Sequence, residues 1–113
     1  MARERRWCGT YFLEFDRDQI REYCGKTLYQ IENGKLREWC GNYKYEFNGD
    51  TIRRYCGVNL LQMEGSKVKR YCGNYIAQID GNKIREWCGN YLYEVDGFLT
   101  HEQWMALIAL LFA

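Results

Sequence analysis

The chain contains no proline, a single histidine (His101) and no CxxC pair. Without proline, chain reversals must be written in glycine. One histidine and no CxxC pair leave the usual zinc ligand sets unfilled, so neither a metal nor another cofactor is expected. Charge of one sign is also missing: 16 basic against 15 acidic residues leave a net charge of +1. That argues against broad electrostatic capture of nucleic acid or an anionic membrane. The longest apolar run is WMALIALLFA, ten residues at the C-terminus, half of what a spanning helix needs. MARERRWCGT has basic residues with no apolar stretch behind them, unlike a secretory signal. These features lead to the expectation of a cytoplasmic, bacterial protein. At 113 residues the chain has the length of one domain.

Aromatic residues are abundant, 17% of the chain with ten tyrosines, and they recur with a fixed period. The heptapeptide REWCGNY occurs at 37–43 and again at 85–91. Six cysteines (Cys8, Cys24, Cys40, Cys56, Cys72, Cys88) stand sixteen residues apart, and each is followed by Gly. Residues 5–100 therefore divide into six tandem units. Counting the basic residue before the Trp/Tyr as position 1 puts Cys at position 4. The other glycines (Gly34, Gly49, Gly65, Gly81, Gly97) lie in NG, DG or EG pairs, which favour tight hairpin turns. The segments between are rich in Trp, Tyr, Ile and Val, as strands are.

The expected fold is all-β: an antiparallel up-and-down meander of six 16-residue hairpins, about twelve short strands, with one C-terminal α-helix. Two-residue turns at positions 5–6 and 13–14 would pair the same positions on both sides of every strand. Position 16 (Ile20, Leu36, Ile52, Val68, Ile84) would then meet position 11 (Phe15, Ile31, Phe47, Met63, Ile79, Val95), and the basic residue at position 1 would meet Glu or Gln at position 10. The inner face would carry these apolar rungs, a Cys–Tyr rung from positions 4 and 7, and positions 2 and 9. Equal turns accumulate no stagger, which a barrel requires, so a coiled, solenoid-like sheet is expected, with a prism or barrel as the alternative.

The segment 101–113 breaks the repeat. Thr100 and Gln103 form a capping-box pair, and Leu99 and Trp104 a hydrophobic staple. Every residue from Trp104 to Ala113 is apolar, so the helix must be covered on all sides. Trp104, Leu107, Ile108 and Leu111 are its expected contacts, either as a plug in the sheet, as cover for its last edge, or in a homodimer. At the other end, Arg3, Glu4, Arg5 and Arg6 would protect the first edge strand.

Four chemical readings compete. Successive cysteines would stand on alternate strands, about 9.6 Å apart at ~4.8 Å per strand, beyond the ~7 Å disulfide limit; they are expected to pack as small buried hydrophobes. An outer stripe of Trp7, Tyr23, Trp39, Tyr55, Tyr71 and Trp87 beside Phe12, Leu28, Leu60, Ile76 and Leu92, flanked by polar residues such as Arg37 and Glu46, could hold a peptide or a glycan. The position-1 cations could follow a phosphate backbone, but position-10 acceptors neutralise them. No nucleophile elbow, phosphate loop or metal cluster supports catalysis; Glu22, Glu38 and Glu86 beside tyrosines are the weak exception. The unit resembles the aromatic- and glycine-punctuated hairpins of cell-wall choline-binding repeats. Those units are longer and lack a cysteine in each repeat, so no residue carries over.

The function expected is non-catalytic, a protein-interaction or scaffold module acting through the stripe or by self-association. The alternatives are a carbohydrate-binding module using Trp7, Trp39 and Trp87, and an uncharacterised enzyme. No nucleic-acid or membrane partner is expected.

Overall fold

The computed structural model describes residues 2–6, 9 and 11–113, with the side chains of Ala2 and Arg6 excepted. Trp7 and Cys8 lie outside the described residues. Twelve strands precede one helix: β1 (Ala2–Arg6), β2 (Tyr11–Asp16), β3 (Gln19–Glu22), β4 (Thr27–Glu32), β5 (Lys35–Glu38), β6 (Tyr43–Asn48), β7 (Thr51–Arg54), β8 (Asn59–Glu64), β9 (Lys67–Arg70), β10 (Tyr75–Asp80), β11 (Lys83–Glu86), β12 (Tyr91–Asp96) and α1 (His101–Phe112). All neighbours are antiparallel, and β1 pairs with both β2 and β12, so the sheet closes into a barrel. The solenoid-like coil expected from sequence is thus replaced by the closed barrel.

The reason is stagger. Across the two-residue turns, position 16 meets position 11 as expected: Ile20 opposite Phe15, Leu36 opposite Ile31, Ile52 opposite Phe47. On its other side position 16 meets position 9: Ile20 opposite Tyr29, Leu36 opposite Tyr45, Ile52 opposite Leu61. The Cys–Gly connection spans four residues rather than two, and a bulge follows it. Strands therefore alternate between six and four residues instead of being equal, and each repeat steps two residues along the barrel. Six such steps give a shear of about twelve for twelve strands, hence a tilt of about 35°. The wall then stands about 11 Å from the axis, close to the ~10 Å separation of packed layers. One helix fills that space.

The helix occupies it. Met105, Ala106, Leu107, Ile108 and Ala109 are all buried. Successive helical residues turn by about 100°, so burial of five in a row requires enclosure on every side. At about 1.5 Å per residue, twelve residues span ~18 Å, matching the 17 Å thickness of a disc 36 Å and 34 Å across. Among the sequence-derived contacts, Leu107 and Ile108 are buried, and Trp104 and Leu111 are half-buried against the same core. The capping box forms, with Gln103 N donating to Thr100 Oγ1 (3.3 Å) and Thr100 N donating to Gln103 Oε1 (2.9 Å). Gln103 also donates through Nε2 to the Arg17 carbonyl at 2.8 Å, and His101 Nε2 lies 3.4 Å from Asp50. Both contacts fix the helix start to the rim of two-residue turns.

Positions 16, 11 and 9 line the interior, as the sequence pattern implies. Other face assignments are corrected. The five described cysteines are exposed, not packed inside. Position 2 (Glu22, Glu38, Arg54, Arg70, Glu86) is exposed as well, because it enters the four-residue connection. Position 8 (Phe12, Leu28, Leu60, Ile76) packs against the core instead of the outer stripe, since the bulge turns it inward. The N-terminal strand is not an edge: Glu4 is fully buried, and neither carboxylate oxygen has a hydrogen-bond partner among the described residues.

A candidate binding belt on the barrel wall

Each of the five described Cys–Gly connections is a turn closed by its Gly N–H: Gly25 donates to Glu22 O (2.9 Å), Gly41 to Glu38 O (2.9 Å), Gly57 to Arg54 O (2.8 Å). The third residue of each turn takes positive φ, as a type II turn requires, and that residue is cysteine. Cys24, Cys40, Cys56, Cys72 and Cys88 have φ between 54° and 56°. The following glycine is needed for space. A Cβ on Gly25 or Gly89 would come within 2.8 Å of the Cβ of Glu22 or Glu86. This turn lifts the preceding aromatic residue onto the outer wall.

There, the third-position rings form a belt. Tyr23, Trp39, Tyr55, Tyr71 and Trp87 are 36–44% exposed, a large share for side chains of that size. Trp7 lies outside the described residues. Position-7 tyrosines, placed inside by the sequence reading, also stand on this outer wall. Tyr11 stacks with Tyr23 (5.3 Å between centroids), Tyr43 with Tyr55 (5.0 Å) and Tyr75 with Trp87 (4.7 Å). Each is a partner of the next repeat, so the stacks tie neighbouring units together. Cations lie over these rings: Lys35 and Arg37 over Tyr43 at 5.6 and 5.4 Å, and Lys67 over both Tyr75 and Trp87 at 5.5 Å.

The tyrosine hydroxyls complete the pattern. Tyr43 donates to Glu32 at 2.7 Å, Tyr75 to Glu64 at 2.7 Å, Tyr91 to Asp80 at 3.2 Å, and Tyr11 to Asp96 at 2.6 Å across the barrel's closure. The hydrogen bond from Tyr43 is the main cause holding the Glu32 carboxyl below its ordinary range, and the one from Tyr75 does the same for Glu64. The tyrosines shift up in return. The signal for these residues is a tyrosine eleven positions after an acidic residue, which a same-register ladder hides.

Position-1 cations are paired on the wall. Arg21 bonds Glu14 at 2.8 Å and Arg53 approaches Glu46 at 3.3 Å, both at position 10. Where position 10 is Gln, two cations reach position 12, Arg37 to Glu32 (3.4 Å) and Lys69 to Glu64 (3.7 Å), while Arg85 donates to Gln78 itself at 3.2 Å. Burial opposes the charge of Glu14, but hydrogen bonds from Arg21 and Arg3 outweigh it and hold that carboxyl low. An open cleft of about 430 Å³ lies at the turn between β2 and β3, lined by Asp16, Arg17, Asp18, Gln19 and Gln30. Among the described residues no three His, Cys, Asp or Glu side chains gather as a metal site.

Fold and wall together define a closed, twelve-stranded β-barrel built from hairpin repeats, plugged by its own helix and belted with aromatic residues. No protein-family model, curated protein or solved structure matches this chain.

Proposed function

We propose that the protein is a non-catalytic, ring-shaped scaffold that binds a partner protein through the belt of Tyr23, Trp39, Tyr55, Tyr71 and Trp87. The observation that carries this reading is the exposure of five large rings at equal sequence intervals around a closed wall. With the core already filled by α1, these rings pack only along the outer wall, and exposed aromatic residues are enriched where proteins bind. The helix offers little to a second copy of the chain, because Met105–Ala109 is enclosed by the chain's own barrel. Paired cations on the wall support the absence of a nucleic-acid partner. Strands of four to six residues fall short of the ~9–11 needed to cross a bilayer. Five exposed free cysteines fit a reducing compartment such as the cytoplasm.

Carbohydrate binding is the second reading, supported by the exposure of Trp39 (44%) and Trp87 (36%). Those two residues are three repeats apart in a ring of six. They stand on opposite sides and cannot grip one short oligosaccharide together. Selection from a displayed random-peptide library tests the scaffold reading against a variant with all five belt residues changed to serine. Peptides retained by the native chain and lost on the variant are expected. Equal retention on both sinks the reading, and a glycan array then tests the second.

A further inference from the structure

Four of the six units carry a tyrosine at position 7 and seat it in the same way. Its hydroxyl donates to the position-12 carboxylate of the preceding repeat, and in three cases its ring stacks on the position-3 ring of the following repeat. The other two units have Thr27 and Asn59 at this position. Thr27 is too short to fill either end of the seat. The position-12 carboxylate it leaves uncovered is Asp16, which has no side-chain hydrogen bond among the described residues. The position-3 ring it leaves unstacked is Trp39, whose 44% exposure exceeds the 36–40% of the stacked rings Tyr23, Tyr55 and Trp87. The cleft of about 430 Å³ opens on the Asp16 side. Two of its lining residues, Asp16 and Gln19, correspond to Glu32 and Lys35, which hold Tyr43 in the next repeat. The cleft thus overlaps the hydroxyl end of the place where the repeat pattern elsewhere puts a tyrosine.

We infer that the wall from Asp16 past Thr27 to Trp39 is a subsite for a tyrosine side chain supplied by the partner polypeptide, with the cleft at its Asp16 end. This rests on the scaffold reading above and names what the partner brings. The incoming ring stacks on Trp39 as Tyr43 stacks on Tyr55, and its O–H donates to Asp16 as Tyr43 donates to Glu32. Phenylalanine fits the space but covers the Asp16 carboxylate without giving it a donor, which costs binding. Phosphotyrosine is disfavoured, since two carboxylates, Asp16 and Asp18, line the cleft against one cation, Arg17. The second gap, at Asn48, Asn59 and Tyr71, has an amide in place of the carboxylate and makes a weaker seat.

The test uses the full isotope-labelled chain, with the Trp39 indole resonance assigned from W39F. N-acetyltyrosinamide is expected to give saturable shifts centred on Trp39, Thr27 and Asp16. N-acetylphenylalaninamide should bind at least about fivefold more weakly, and D16N should remove that difference. T27Y, which supplies the ring from the chain itself, should abolish binding and leave Tm unchanged or raised, while N59Y leaves binding at this seat intact. Undiminished binding to T27Y, equal affinity for the two amides, no saturable shift up to about 50 mM, or tighter binding of a methyl glucoside would each overturn the assignment. If T27Y fails to fold, D16N at the surface carries the same decision. The two readings fail separately. Belt-dependent peptides without tyrosine enrichment sink this seat alone, whereas seating of N-acetyltyrosinamide without any belt-dependent peptide sinks the scaffold reading alone.

Discussion

Glu4 lies directly opposite Val95 on the barrel wall, a carboxyl group at the position where the other repeats carry Ile20, Leu36, Ile52, Val68 and Ile84. Leu13 flanks it on the other side. From Trp104 onward the enclosed helix brings no titratable side chain to it. Desolvation raises its pKa from the ordinary 4.5 to about 8. Unfolded Glu4 ionises near 4.5, while folded Glu4 stays protonated until about pH 8. Its effect on stability is therefore absent below pH 4.5 and grows as pH rises between those values. It levels off above pH 8 as a penalty on the order of 5 kcal/mol. Denaturant unfolding at pH 5 and pH 8 should show this fall, and Glu4→Ile should remove most of it. A variant as pH-sensitive as the native chain would place the cause elsewhere.

The paired carboxylates act in the opposite direction. Glu32 and Glu64 are held low by Tyr43 and Tyr75, so their contribution is present above the unfolded carboxylate pKa and is lost as pH falls through the folded one. Tyr43→Phe should raise the Glu32 pKa, read by carboxyl resonances in an NMR titration, and leave Glu64 unmoved. The stability change should stay within about 1 kcal/mol, as for an exposed hydrogen bond.

Two adjacent residues in the same turn should respond differently. Gly89→Ala sets a Cβ 2.8 Å from the Glu86 Cβ and should cost about 1–2 kcal/mol in urea unfolding. Cys88→Asn replaces an exposed thiol at φ 56° with a residue that tolerates that conformation, so stability should hold or rise by up to about 1 kcal/mol. A buried cysteine would give the reverse order.

Thiol exposure gives a direct count. The native chain should react rapidly with a thiol reagent at Cys24, Cys40, Cys56, Cys72 and Cys88, all exposed. Slow native labelling that speeds up only on unfolding would contradict the turn geometry.

The plug has its own energetic signature. Leu107→Ala leaves a cavity at a position with no solvent access and should cost about 2–5 kcal/mol by calorimetry or denaturant titration. Leu111→Ala, at the half-buried end of the helix, should cost less. Equal small losses would mean that the barrel does not depend on the helix.

How much could be read beforehand follows from where the information is local. The sixteen-residue period, the two-residue turn between β2 and β3 and its counterparts, the pairing of Ile20 with Phe15 and the capping box at Thr100 depend on neighbours in sequence and were legible; the length of the Cys–Gly connection was not. The belt residues were legible as a stripe, because one ring per period falls at the same position. The seat at Asp16 and Trp39 was not, because its parts come from three different repeats and meet only through the two-residue stagger.

The period, the strand count, the apolar identity of positions 16 and 11 and the all-round apolar helix were determined by the sequence alone, since each rests on a side-chain pattern within a hairpin or a helical turn. Closure was decided by tertiary structure. One bulge beside each Cys–Gly turn shifts the register by two residues, and only the sum over six repeats brings β1 against β12. The same shift moved the cysteines and position-7 tyrosines outward and set the radius that the helix fills, while closure enclosed Glu4.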